Sequence, residues 1–153
     1  MGFTIEHNLE IDAPIATVWA VITDMADYSE WNPFVESCRS TLVVGEPIDM
    51  RVRMFEGFAQ SQREFIQEHV PGQRLCYGLA PMPLGALASR RCHEVTSIAS
   101  DRTHYRSHFE LSGWLAPVVR ALLGRRLEHG FQSMSEAIGE RAKFLATGTE
   151  GMQ

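Results

Sequence analysis

The chain has 153 residues, with 14 Lys and Arg against 19 Asp and Glu, for a formal charge of -5. Apolar residues make up 44% and charged residues 22%, which fits one globular domain and excludes disorder, collagen-like repeats and a disulfide scaffold. The acidic balance also excludes nucleic acid as a main partner, because phosphate binding needs clustered Lys and Arg.

Phe3, Ile5, His7, Leu9 and Ile11 alternate with polar neighbours, which predicts a half-buried strand. Asp12-Ala13-Pro14 reads as a helix start with Asp12 as N-cap, ahead of a short helix through Val18, Trp19, Val21 and Ile22. Asp24 is expected to cap as well. Tyr28 to Pro33 predicts a second short helix stopped by Pro33, with Trp31 wedged beneath the sheet mouth.

The middle of the chain is strand-like. Phe34 to Val44 is a strand candidate ending at the Gly45-Glu46-Pro47 turn signal. Ile48 to Phe55 alternates, and Glu56-Gly57 predicts a hairpin turn before a strand over Gln60 to Val70. Pro71-Gly72 is another turn, and Arg74 to Leu79 another strand. Ala80 to Ala86 is apolar yet strand-breaking, so it reads as a cavity rim, a self-association surface or ordinary packing. Ser89 to Ala99 and Thr103 to Ser112 complete the strands. In the last of them Tyr105, Phe109 and Leu111 share one face, and His104, Arg106, His108 and Glu110 the other.

After Gly113 the period changes. Leu115, Val118, Leu122, Phe131, Met134, Ile138 and Ala142 recur at helical spacing, predicting an amphipathic helix of about 30 residues. Gly124, Gly130 and Gly139 interrupt it, as close-packing points, a bend or tolerated residues. Residues 1–146 are read as one domain and 147–153 as a frayed tail. A six-strand meander plus the first strand gives a curved sheet whose apolar face the last helix can cover.

Three cysteines, Cys38, Cys76 and Cys92, lie far apart with no CxxC pair, and read as free thiols in a reducing cytoplasm. The chain start has no secretory signal pattern, and no apolar run reaches the roughly 20 residues a bilayer span needs. A cytoplasmic location is therefore expected, without stable membrane insertion.

The segment Ile11-Asp12-Ala13-Pro14-Ile15-Ala16-Thr17-Val18-Trp19 resembles the I-x-A-P-x-x-x-V-W opening of the START-like helix-grip (SRPBCC) superfamily. The resemblance continues through Asp24, Tyr28, Trp31, Asn32, Pro33 and Phe34, then Gly45, Ile48, Val70 to Leu75, and Phe109 to Gly113. Within the superfamily the chain is most similar to bacterial polyketide cyclase/dehydrase and lipid-transport-type proteins. The resemblance implies an α+β helix-grip fold: a seven-stranded curved antiparallel sheet around a long C-terminal helix, two short helices between strands 1 and 2, and an internal cavity. It does not imply a reaction, because carriers, cyclases, chaperone cofactors and receptors all share the fold.

Candidate cavity residues are Trp31, Phe34, Met50, Val52, Met54, Phe65, Tyr77, Tyr105, Phe109, Leu111, Phe131 and Met134. His93 and Tyr105 are the candidate catalytic groups, since a buried His can move protons near neutral pH. Glu94 adjoins His93, but neighbouring strand residues point to opposite faces. His104 and His108 lie roughly 13 Å apart on a strand, too far to share one metal, so neither metal nor cofactor is expected. The first reading is binding or transport of a small hydrophobic molecule such as a lipid, aromatic or polyketide-like compound. A cyclase/dehydratase using the same cavity is the second, and a protein-interaction module the third. A homodimer stays open.

Overall fold

The computed structural model describes residues 2–55 and 57–151. Glu56 of the expected hairpin turn, and Met152 and Gln153 of the expected tail, lie outside the described residues. Strand β1 (Phe3–Ile11) leads to helix α1 (Ile15–Thr23), a 3-10 turn over Met25–Asp27, and helix α2 (Tyr28–Trp31). Strands β2 (Val35–Ser40), β3 (Pro47–Phe55), β4 (Phe58–Val70), β5 (Arg74–Gly78), β6 (Ala88–Ala99) and β7 (Arg102–Ser112) follow, then helix α3 (Ala116–Gly151).

The strands form one curved antiparallel sheet in the order β1-β7-β6-β5-β4-β3-β2. Strands β2 to β7 are a meander, and β1 completes the sheet by pairing with β7, Phe3 opposite Leu111 and Ile11 opposite Thr103. Register shifts in β2, β3, β4 and β6 help bend it, because a bulge locally increases strand twist. Alternation then decides the buried face. Ile48, Met50 and Val52 of β3, Leu75 and Tyr77 of β5, and Tyr105, Phe109 and Leu111 of β7 are all buried. Against them α3 packs Leu127, Phe131, Met134, Ile138 and Ala142, spaced as one helical stripe.

The convex face is a different surface. Arg106 joins Glu6 (2.6 Å) to Glu94 (2.8 Å), and Arg74 joins Glu94 (2.8 Å) to Glu68 (3.0 Å). This charge ladder crosses five strands, and His104 and His108 sit on it, bonded to Asn8 and Glu6.

Several local expectations are corrected. β2 stops at Ser40 because Leu42 takes a left-handed φ of 61°, which no strand accommodates. Asp12 is not an N-cap: Pro14 occupies that position, and Asp12 faces Arg102 at 3.7 Å. Asp24 takes the N-cap place of the 3-10 turn without a side-chain cap bond. Asn32 does the turning work instead, its Oδ1 accepting from the backbone N–H of Phe34 (3.0 Å) and Val35 (2.9 Å). Helix α3 continues past residue 146 to Gly151.

The cysteine expectation fails for two of three. Cys76 and Cys92 face each other across the β5–β6 pair with Cα atoms 4.2 Å apart, and are disulfide-bonded; Cys38 stays free. A separation of 16 residues gives no local signal, so only strand register reveals the pair. The free-thiol argument for a reducing compartment goes with it.

Two helix glycines differ in their surroundings. A Cβ on Gly130 would lie 2.2 Å from the Phe34 ring, whereas one on Gly124 meets nothing nearer than Arg120 Cγ at 3.5 Å. Gly130→Ala should therefore destabilise by about 1–3 kcal/mol through overpacking. Gly124→Ala should stabilise by about 1 kcal/mol through helix propensity. Urea denaturation of both variants checks the pair; equal effects would refute the close-packing reading of Gly130.

Candidate functional site

A cavity of about 210 Å³ lies between the concave sheet and the N-terminal half of α3. Phe34, Met50, Val52, Met54, Tyr77, Phe109, Leu111, Phe131 and Met134 line it, nine of the twelve residues expected to do so. Leu79, Leu87, Val119 and Leu123 add half-buried aliphatic wall, marking the end nearest solvent.

Trp31, Phe65 and Tyr105 lie outside the lining. Trp31 packs edge-on against Tyr28, ring centroids 5.1 Å apart, on the far side of α2. Phe65 fails on parity: β4 buries Glu64 and Ile66, so the residue between them points to the convex face. Tyr105 faces inward but is fully buried beneath the cavity. Counting by twos from Ile66 would have found Glu64 in place of Phe65.

The wall also carries polar groups: Tyr77 of β5, expected there, and four that hydrophobic patterning passes over, Gln62 and Glu64 of β4 and Ser89 and Arg91 of β6. Arg91 is 3% exposed. Its guanidinium donates to the Ser107 hydroxyl, approaches the Met134 sulfur at 3.7 Å, and lies over the Phe131 ring at 4.4 Å. Among the described residues no carboxylate forms an ion pair with it. Glu64 accepts a hydrogen bond from the Gln62 amide. Burial raises its carboxyl to a pKa of about 7, against the opposing pull of Gln62 and the Arg91 charge. A fixed cation and a carboxyl able to hold or release a proton near neutrality thus share one apolar chamber. Such a pair can bind and polarise a carbonyl, carboxylate or enolate oxygen.

His93 sits behind this wall. Its Nε2 is 3.0 Å from the Tyr77 hydroxyl and its Nδ1 is 2.7 Å from the Tyr105 hydroxyl. Burial first, then the Arg91 charge, holds its pKa well below the ordinary value. The ring is therefore neutral, donating to one tyrosine oxygen and accepting from the other. Neither catalytic candidate touches the cavity: His93 reaches it only through Tyr77. Glu94, on the opposite face, pairs with Arg74 and Arg106. Among the described residues no cluster of three His, Cys, Asp or Glu side chains is placed to hold a metal.

Residues 2–139 match the family model described as polyketide cyclase / dehydrase and lipid transport. The chain belongs to that family. No curated protein matches the sequence significantly. Among solved structures, an aromatase/cyclase from Streptomyces superposes with a TM-score of 0.76 at 14% identity, covering 94% of each chain. A START superfamily protein from Mycobacterium smegmatis gives 0.68 at 17% identity, over 93% of this chain and 98% of that one. Norcoclaurine synthase from Thalictrum flavum gives 0.69 at 17%, over 93% and 94%. At these identities the likeness is one of fold, and it is the helix-grip fold of the START/SRPBCC superfamily.

The raised carboxyl has a measurable consequence. Below pH 4.5, the ordinary value, Glu64 is protonated folded and unfolded alike. From there to about 7 the unfolded chain releases its proton while the folded one keeps it, so stability falls as pH rises. That window corresponds to a loss of about 3 kcal/mol, at 1.36 kcal/mol per pH unit. Glu64→Gln should remove this decline. Urea denaturation of both proteins across the window tests it, and parallel profiles would show that Glu64 ionises at an ordinary pH.

Proposed function

We propose that the protein binds a small, mostly apolar molecule bearing one oxygen-rich end, such as a carboxylate, ketone or enol. The observation that carries the reading is Arg91, a buried cation without a carboxylate partner among the described residues, on the wall of a mostly apolar cavity. Ligand sites of this kind combine an apolar lining with a few placed polar groups. A fatty acid, an aromatic acid or a polyketide-like chain all satisfy it: their apolar bodies lie along Met50, Val52, Leu123 and Phe131 while their oxygens meet Arg91 and Glu64. A cytoplasmic place of work is part of this proposal, and the Cys76–Cys92 disulfide is the observation that counts against it; no helix of the described residues is long and apolar enough to cross a membrane.

A second reading is favoured by Glu64. A carboxyl near its pKa at neutrality both gives and takes protons, which a cyclisation or dehydration step requires. Under that reading Glu64 is the proton carrier, Arg91 stabilises the enolate oxygen, and Tyr77 is the third group at the chamber wall. His93 orients the Tyr77 hydroxyl rather than acting directly. The aromatase/cyclase likeness supports this reading without deciding it.

A thermal-shift panel of fatty acids, aromatic acids and matched hydrocarbons tests the main proposal. A fitting acid at 100 times its Kd adds about 2.7 kcal/mol of stability, and the matched hydrocarbon adds less. Arg91→Met keeps the volume and removes an unpaired buried charge, so the empty protein should melt no lower than wild type while the preference for acids disappears. No shift with any apolar class, or an unchanged acid preference in the variant, would sink the reading. Turnover of a β-polyketone lost in Glu64→Gln but not in His93→Gln would instead select the enzyme.

A further inference from the structure

We propose that the rim around the cavity mouth docks onto an anionic lipid bilayer. The inference stands on the rim alone and holds whatever guest the cavity takes. Met82 and Leu84 in the β5–β6 loop are 44% and 93% exposed, and Trp114, Val118 and Leu122 at the start of α3 are 62%, 51% and 74% exposed. Phe58 of the β3–β4 hairpin is 57% exposed and stacks on Phe55. These six are the greater part of the eleven exposed large apolar side chains found among the described residues. They come from three separate elements.

The rim is built rather than scattered. Trp114 Nε1 donates to the Leu84 carbonyl at 3.0 Å, and the backbone N–H of Leu115 donates to Ala86 at 2.9 Å, so loop and helix start are one unit. Leu84 is held at φ 61°, a left-handed conformation that favours glycine, with its side chain almost wholly in water. Val118 and Leu122 are one turn apart, and Arg125 continues their face of the helix. Their sequence neighbours Leu79, Leu87, Val119 and Leu123 line the cavity. The apolar rim therefore surrounds the way in.

Charge selects the partner. In a chain of net charge -5, the stretch from Leu111 to Leu127 holds Arg120, Arg125 and Arg126 and no acidic residue, and Ala80 to Ala88 carries no charge. Arg126 lies over the Phe55 ring at 5.1 Å, and Arg125, Arg126 and His129 border a groove beside the rim; Arg53 also borders it, already paired with Glu36. A second copy docked rim to rim about a two-fold axis would set Arg125 and Arg126 against their own copies, with Glu128 the nearest acid to them in sequence. Bare nucleic acid would leave Leu84, Trp114 and Leu122 unburied. A bilayer with anionic headgroups satisfies both parts, apolar side chains at the acyl boundary and arginines among the headgroups.

The test is co-sedimentation of the whole protein with vesicles of equal parts phosphatidylglycerol and phosphatidylcholine, against phosphatidylcholine alone, at low and high salt. The expected result is binding to the mixed vesicles that weakens with salt and nearly vanishes without phosphatidylglycerol. Arg125→Glu should lower the partition coefficient by about tenfold or more, since each basic side chain near such a surface contributes about fivefold. Leu84→Asp should also abolish binding with its melting temperature intact, because aspartate tolerates a left-handed backbone. Absence of sedimentation, or sedimentation that neither variant weakens, overturns the proposal. So does a dimer in solution that Leu84→Asp dissolves without vesicle binding, which would give the rim to a second copy.

Discussion

One buried guanidinium ties the sheet to the helix. Arg91 rises from β6, hydrogen-bonds Ser107 on β7, and meets Met134 and the Phe131 ring on α3. Taking a cation out of water costs several kcal/mol, and a hydroxyl, a thioether and a ring face offset less of that than a carboxylate would. A core selected for stability alone would place Met or Leu here. Local rules are broken in this way where a site is held ready. The bulk of the group also matters: with Phe131 and Met134 resting on a polar head, α3 does not settle onto β4 and β5, and the chamber stays open.

The remaining polar residues follow from that choice. Glu64 lies near enough for the Arg91 charge to act on its carboxyl, yet burial outweighs the attraction and its pKa stays raised. A closed Arg–Glu pair would have neutralised the chamber. Instead the positive charge is left for whatever enters. Behind the wall, His93 bridges Tyr77 and Tyr105, satisfying both hydroxyls in a place no water reaches. The bridge fixes where the Tyr77 oxygen points.

Much of the architecture was legible in the residues, because β1, β3 and β7 alternate cleanly and α3 repeats at helical steps. The opening from Ile11 to Trp19 resembles that of the helix-grip superfamily, and residues 2–139 match the polyketide cyclase / dehydrase and lipid transport model. The site was legible in part. Met50, Val52, Met54, Phe109 and Leu111 stand where strand alternation puts them, and Phe131 and Met134 where helical spacing does, but β4 and β6 carry polar side chains on the inner face, so patterning by hydrophobicity reads them backwards. Phe65 reads as a cavity residue because it is large and apolar, whereas the charge on Glu64 beside it gives hydrophobic patterning no signal. Arg91 follows another arginine in sequence, and only strand parity separates the two: Arg90 turns outward to meet Glu68 at 2.6 Å while Arg91 is buried. Cys76 and Cys92 escaped for a similar reason: their pairing exists only in the β5–β6 register.

Polarity runs along the cavity in one direction, and that direction constrains how any guest enters. Leu79, Leu87, Val119 and Leu123 form the half-buried end, and Tyr77, Arg91 and Met134 the buried floor. A molecule with one polar end must carry it past aliphatic wall before Arg91 can repay the lost hydration. Under the proposed binding role, passing that wall would cost a charged head more lost hydration than a protonated or carbonyl one. Glu64, holding its proton to about pH 7, offers a neutral donor to such a head near the end of that path. Under either proposed role, an oxygen-bearing head that ionises or enolises at the floor would do so beside Arg91, with the Glu64 carboxyl on the same lining.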